Sequence, residues 1–286
     1  MRPNAIPFDP AQSQNRERRK ERNPVQRQSY LQGKTIIVTG AAGSLGADIS
    51  IRLAQDGANV LVADRDLAAA EKVVTRISEV GGTAGAAEVD VASFDSCRAM
   101  ADRAVEMWGS VDGLYANAGI HDAATALTVT PENWERLISI NLTGAFYSAK
   151  AALPAILENG GGTILFQASL CATNGIPATV SYSAAKGGLV SLCYQMAVDF
   201  GPSGVRVNCI SPGTTRTPLV EGLYRDRSSL NGVSPEEALR RTAASYPMGR
   251  LAEPSDISGL ASFMFSDDAQ YISGVNIPVD GGFNAT

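Results

Sequence analysis

Seven short apolar runs constrain this chain more than any other feature: KTIIVTG, ANVLVAD, GTAGAAEVD, VDGLYAN, GGTILFQAS, GVRVNCI and GVNIPVD, spread from Lys34 to Asp280. Each has strand length, and the stretches between them carry apolar residues at helical period. Strands that alternate with helices predict a parallel sheet, because each right-handed crossover helix returns across a sheet face and covers it. The expected architecture is α/β, a single domain with a doubly wound parallel sheet of seven strands and helices on both faces. No second domain and no internal repeat is visible. With 286 residues, 44% hydrophobic and 19% charged, such a sheet can bury a core and still leave a deep cleft.

Residues 1–32 stand apart from this pattern. They are rich in Arg, Gln, Asn and Pro, with a charge run from Arg16 to Arg22 and few apolar residues to bury. They read as a flexible basic N-terminal extension, with residues 33–286 as the folded domain. A mitochondrial presequence is the alternative, opposed by Asp9, Glu17 and Glu21.

Composition narrows the function. A net charge of -5 argues against nucleic acid as a partner. No uncharged apolar run approaches the roughly 18–20 residues of a membrane span, so no membrane association is expected and the cytoplasm is the expected location. Cys97, Cys171, Cys193 and Cys209 are scattered without a CxxC, as reduced thiols would be. The single histidine, His121, leaves no basis for a His-dependent triad or a His-rich metal centre, and no metal is expected.

Two constellations carry chemistry. After the first strand comes TGAAGSLG, Thr39 to Gly46, opening a helix through Ile49, Leu53 and Ala54. Glycines there admit the backbone close to a pyrophosphate, whose charge the helix N-terminus favours. Asp64 ends the second strand near the roughly 20-residue offset of an acid that binds the adenosine ribose hydroxyls. Its charge would repel a 2′-phosphate and so favours NAD over NADP; Arg65 beside it is either a solvated loop residue or a holder of that phosphate. The second constellation is Tyr182 and Lys186, four residues apart and therefore on one helix face, with Ser169 upstream at the end of a strand. A lysine ammonium so placed is expected to lower the phenol from its usual pKa of about 10 and make it a proton donor. Ser169 can stabilise charge on a substrate oxygen.

Further motifs are plainer in isolation. Asp90 can cap the helix that follows it. Asn117-Ala118-Gly119 ends a strand with small residues, as a tight turn or as room for a flat nucleotide. Thr130-Pro131 starts a helix well, with Trp134, Leu137 and Ile138 expected to face the core, and Asn141 interrupts that apolar face within one long helix.

Taken in order, these motifs are similar to those of the short-chain dehydrogenase/reductase family, from Lys34 to Phe283. The matching residues are the glycine-rich turn with Gly40, Gly43, Ser44, Leu45 and Gly46, then Asp90-Val91, Asn117-Ala118-Gly119, Asn141, Ser169, Tyr182, Lys186, Pro212-Gly213 with Thr217, and Asp280-Gly281-Gly282. Ser44 stands where the family usually has its second glycine, with Gly43 one place early.

The resemblance implies a Rossmann-type fold and hydride transfer between NAD(H) and a secondary alcohol or ketone. Asp90 and the Val91 backbone would recognise adenine. Lys186 would bind the nicotinamide ribose and keep Tyr182 partly ionised, and Asn141 would hold a water linking Lys186 to solvent. The substrate pocket would be lined by Leu170, Thr173 and Ile176, with His121 near its mouth. A lid from Leu219 to Tyr246 would carry Leu223, Tyr224, Arg225 and Arg227 as possible contacts. A homotetramer is implied as well, with Ala184, Ala185, Gly187 and Gly188 permitting close helix packing. Two alternatives remain: an NADPH-dependent 3-oxoacyl reductase, and a dinucleotide-binding regulatory protein without turnover.

Overall fold

The computed structural model describes residues 30–231 and 233–285. Residues 1–29 of the basic extension, and the side chain of Arg227, lie outside the described residues.

All seven runs form strands: β1 Thr35–Thr39, β2 Asn59–Asp64, β3 Thr83–Glu88, β4 Gly113–Ala116, β5 Gly162–Gln167, β6 Val205–Pro212 and β7 Asn276–Val279. They make one sheet in the order β3-β2-β1-β4-β5-β6-β7, parallel at every pairing. The order reverses between β1 and β4, and a ligand crevice is expected there, outside the carboxyl ends of the strands.

Strand alternation divides the core in two. Ile37, Leu114, Ile164 and Phe166 enter the core under α3 Phe94–Trp108, α5 Gly144–Glu158 and α6 Val180–Phe200. Their neighbours Ile36, Val38, Tyr115 and Leu165 enter the core under α1 Ser44–Gln55, α2 Leu67–Glu79 and α9 Pro254–Phe265. Sheets covered on both faces read as continuous apolar runs, and every residue of β1 is buried. Among the described residues no helix is long and apolar enough to cross a membrane.

Helix starts show their chemistry locally. Asp66 accepts from Ala69 N–H at 2.9 Å, Ser93 from Ser96 N–H at 3.3 Å, and Thr130 from Asn133 N–H at 3.2 Å. Ser93, and not Asp90, therefore caps α3; Asp90 makes a local turn instead, accepting from Ala92 N–H at 3.0 Å. The start of α1 differs from these: its N-cap is Gly43, which offers no side chain to the free N–H groups.

Expectations change at four points. Leu31 is fully buried and its N–H donates to Asp56 O at 2.9 Å, so the folded body begins before residue 33. Trp134 does not face the core: in α4 Pro131–Ile138 it is 38% exposed and Leu137 carries the burial. The single long helix through Asn141 is interrupted by a π turn at Ser139–Thr143, where Gly144 N–H donates to Ser139 O, five residues back. Of the small residues expected to serve assembly, Ala185 is fully buried, and a Cβ at Gly188 would come 2.9 Å from Leu142 Cδ2, so both already pack within the protomer.

Candidate active site

The carboxyl ends of β1 to β6 open into one cleft of about 990 Å³. Its centre is the turn after β1. Gly40 takes φ +62 there, and a Cβ on it would come 2.7 Å from Ala118 Cα; a Cβ on Gly46 would come 2.3 Å from Gly40 O. Glycine at these two positions is thus set by close backbone approach. Asn117 fastens the turn to β4: its Nδ2 donates to Thr39 O at 3.0 Å and Gly40 O at 3.1 Å, while Thr39 Oγ1 accepts from Asn117 and Ala118 N–H. With no cap at Gly43 and no acidic residue in the first turn of α1, the helix N-terminus presents its N–H groups and dipole to an anion.

One end of the cleft lies over β2 and β3. Asp64 is held there by Ala42 N–H at 2.9 Å and Asp66 N–H at 3.1 Å. Arg65, Asp90 and Val91 line the same end.

The other end lies over β5 and β6. Ser169 follows β5, is 9% exposed, and its Oγ accepts from Cys171 N–H at 3.2 Å. Tyr182 lies in the first turn of α6 and lines the same end of the cleft as Ser169. Lys186, one turn on and 2% exposed, donates from Nζ to Gln167 O at 2.6 Å. The His121 ring stacks at 42° against Tyr182 with centroids 4.3 Å apart. Asn141 is fully buried beneath them, its Oδ1 accepting from Ile120 N–H and its Nδ2 donating to Ile120 O, each at 2.8 Å. A Cβ on Gly119 would stand 3.2 Å from Asn141 Oδ1 and 3.6 Å from Lys186 Nζ, so glycine keeps this junction open.

The residue range of the match, and the likeness of the whole chain to solved structures, decide the family. A family model described as enoyl-(acyl carrier protein) reductase matches residues 40–284. Cyclohexanol dehydrogenase of Acinetobacter sp. (strain SE19) is 34% identical over 253 residues, covering 88% of this chain and 95% of the relative. The inactive 2-(S)-hydroxypropyl-CoM dehydrogenase 2 of Xanthobacter autotrophicus (strain ATCC BAA-1158 / Py2) is 38% identical over 229 residues, 80% of this chain and 96% of the relative. The crystal structure of a short-chain type dehydrogenase/reductase from Mycobacterium marinum superposes with a TM-score of 0.83 at 34% identity, covering 91% of this chain and 98% of that one. The chain belongs to the short-chain dehydrogenase/reductase family. It is a member of an oxidoreductase family whose proteins bind NAD(P) dinucleotides.

Against that membership, one electrostatic expectation fails for the protein alone. Burial pushes the Tyr182 phenol up, the Cys171 thiol adds to the shift, and the Ser169 hydrogen bond offsets only part of it. Burial likewise lowers Lys186 to about 8. Burial of both groups thus opposes ionisation of Tyr182 in the protein alone.

The cleft gathers every residue expected to hold a cofactor, from Gly40 to Thr217, together with Ser169, Tyr182 and Lys186. Of the expected substrate contacts, His121, Leu170, Ile176, Leu223 and Tyr224 line it. Thr173 does not: it is exposed, and its Oγ1 accepts from Asn174 Nδ2 at 3.2 Å. Arg225 is exposed and also lies outside the lining. The segment expected to form a lid is two helices, α7 Pro218–Asn231 and α8 Pro235–Ser245, joined by a hydrogen bond between the Tyr224 and Thr242 hydroxyls at 2.7 Å. Sequence reasoning missed Gln167, Cys171 and Thr214 as lining residues. Cys171 adjoins Leu170 and could have been read with it; the other two carry no local signal.

Proposed function

We propose that this protein is an NAD-dependent dehydrogenase that interconverts a neutral secondary alcohol and its ketone. The observation that carries the reading is the joining, in one cleft, of a Ser169–Tyr182–Lys186 cluster to an uncapped helix N-terminus and the Asp64 carboxylate. The glycine turn and the α1 N-terminus fit a pyrophosphate, and Asp64 fits a pair of ribose hydroxyls. When bound, NAD(H) supplies the hydride donor or acceptor at nicotinamide C4.

The chain's own residues handle the oxygen of the substrate. In the reducing direction the Tyr182 hydroxyl gives it a proton, and the Ser169 hydroxyl donates a hydrogen bond to the same atom as charge develops. Lys186 stabilises the phenolate left behind and would hold the nicotinamide ribose. A proton returns to Tyr182 through Lys186 and a water at Asn141, whose second Nδ2 hydrogen is the donor left after Ile120 is bound. In the oxidising direction the same steps run in reverse.

A neutral substrate is favoured by the walls of the reaction end. Leu170, Ile176, Leu223 and Phe283 are apolar and Arg225 is outside the lining, which leaves Arg136 as the cation that lines the cleft near His121. The cyclohexanol-oxidising relative supports a secondary alcohol of about that size. The test is a panel of cyclic and linear alcohols, sugars, hydroxysteroids and 3-oxoacyl thioesters with NAD and NADP, following reduced coenzyme at alkaline pH. A clear preference for NADPH and a thioester would replace this reading with a 3-oxoacyl reductase. The relative named inactive keeps a binding-only protein in view. Dinucleotide binding without turnover on any member of the panel would favour it. We place the protein in the cytoplasm as a homotetramer; solution molar mass and imaging of a tagged chain test both.

A further inference from the structure

Tyr246 stands immediately after lid helix α8 and is 5% exposed. Its ring packs on Phe283, with centroids 5.4 Å apart, and in a small apolar cluster with Leu170 and Leu251. Its hydroxyl is spent on one residue: Thr214 N–H donates to Tyr246 Oη at 2.7 Å, and Tyr246 O–H donates to Thr214 Oγ1 at 2.9 Å. The backbone also runs against the ring, since a Cβ on Gly213 would come 2.9 Å from Tyr246 Cε1.

Thr214 belongs to the segment leaving β6. In the sheet, Ile210 of β6 pairs with Gln167 of β5, and Ala168 N–H donates to Ile210 O at 2.9 Å. The residues just beyond, Thr214 and Ser169, therefore border the same end of the cleft. On its other side Tyr246 is continuous with Thr242, which bonds Tyr224 of α7. One phenol thus links both lid helices to the floor of the reaction end.

We infer that Tyr246 is a positioning residue: by fixing Thr214 it sets the nicotinamide end of the cleft and ties that end to the lid. The inference rests on the dinucleotide reading above. Removing the hydroxyl leaves a partly buried Thr214 N–H and Oγ1 without their partner, a loss that loosens the floor while the ring still packs.

The test is Tyr246→Phe, with binding of NADH and of ADP-ribose measured on the full chain by calorimetry. The 2′-phosphorylated pair is used if the wild type prefers it. NADH binding should weaken about fivefold to tenfold, as loss of a hydrogen-bonded partner predicts, while ADP-ribose, which lacks nicotinamide, should stay within about twofold. Thr214→Val keeps the tyrosine ring and removes its acceptor, and should show the same split; it carries the test if Tyr246→Phe fails to fold. Equal weakening of both ligands, or no weakening of NADH, overturns the inference. Failure of the wild type to bind either dinucleotide overturns the dinucleotide reading and the inference with it.

Discussion

Lys186 approaches Tyr182 over the face of its ring: Nζ stands 5.4 Å from the ring centre and donates to Gln167 O at 2.6 Å. Burial raises the phenol and lowers the ammonium of this pair. Tyr182→Phe keeps the ring and its packing and removes only the hydroxyl. Turnover should fall by about a thousandfold, as for loss of a general acid, while dinucleotide affinity, read by fluorescence titration, stays within about threefold, the usual context-dependence of one hydrogen bond.

Lys186 also makes stability depend on pH. Its native value, about 8, lies below the 10.5 of the unfolded chain. Below pH 8 the buried ammonium destabilises the fold in full; between pH 8 and 10.5 the native state sheds the proton first and stability rises. The size is about 3 kcal/mol at 1.36 kcal/mol per pKa unit. Urea unfolding of wild type and Lys186→Met should give curves that converge as pH rises from 8 to 10.5. Parallel curves would refute the assignment.

Asp64 accepts from Ala42 and Asp66 N–H, so its carboxylate is fixed at the end of the cleft over β2 and β3, where we propose the adenosine binds. Asp64→Asn removes that charge and keeps one acceptor. The ratio of kcat/KM for NAD over NADP should fall at least about tenfold, equivalent to about 1.4 kcal/mol. An unchanged ratio would mean that Asp64 does not select the coenzyme.

Gly46 and Gly43 should respond differently to alanine. A Cβ at Gly46 meets Gly40 O at 2.3 Å and Ala41 Cα at 2.8 Å, both backbone, whereas at Gly43 it meets Gly40 O alone, at 3.3 Å. Gly46→Ala should cost about 1–3 kcal/mol in denaturant unfolding, typical of overpacking, and weaken dinucleotide binding. Gly43→Ala should cost less than about 1 kcal/mol, in line with an alanine at an N-cap.

The strands were legible because a sheet buried on both faces leaves β-branched runs that need no knowledge of their partners. The cofactor turn and the Tyr182–Lys186 pair were legible for a similar reason: their spacing alone puts them on one turn or one helix face. What was not legible depends on residues far along the chain. Trp134 keeps helical phase with Leu137, yet only the packed neighbours decide which of them is covered. Thr173 sits in an irregular loop where no periodicity says which way a side chain points. Tyr246 reaches Thr214 across 32 positions, and nothing near either residue announces the contact. The effect of burial on Tyr182 and Lys186 likewise needs the walls around them.

The π turn at Ser139–Thr143 holds one residue more than a regular helix would use for the same passage. That surplus works as a phase adjuster. Leu137 faces inward before the turn and Asn141, four residues on and so on the same face, grips Ile120 within it; the surplus is taken up where α5 begins. A deletion of one residue here would relax the backbone to ordinary geometry with the helix after it still in phase, whereas an inserted residue would turn it by about 100°. Deletion of one residue should therefore be tolerated far better at this turn than insertion of one.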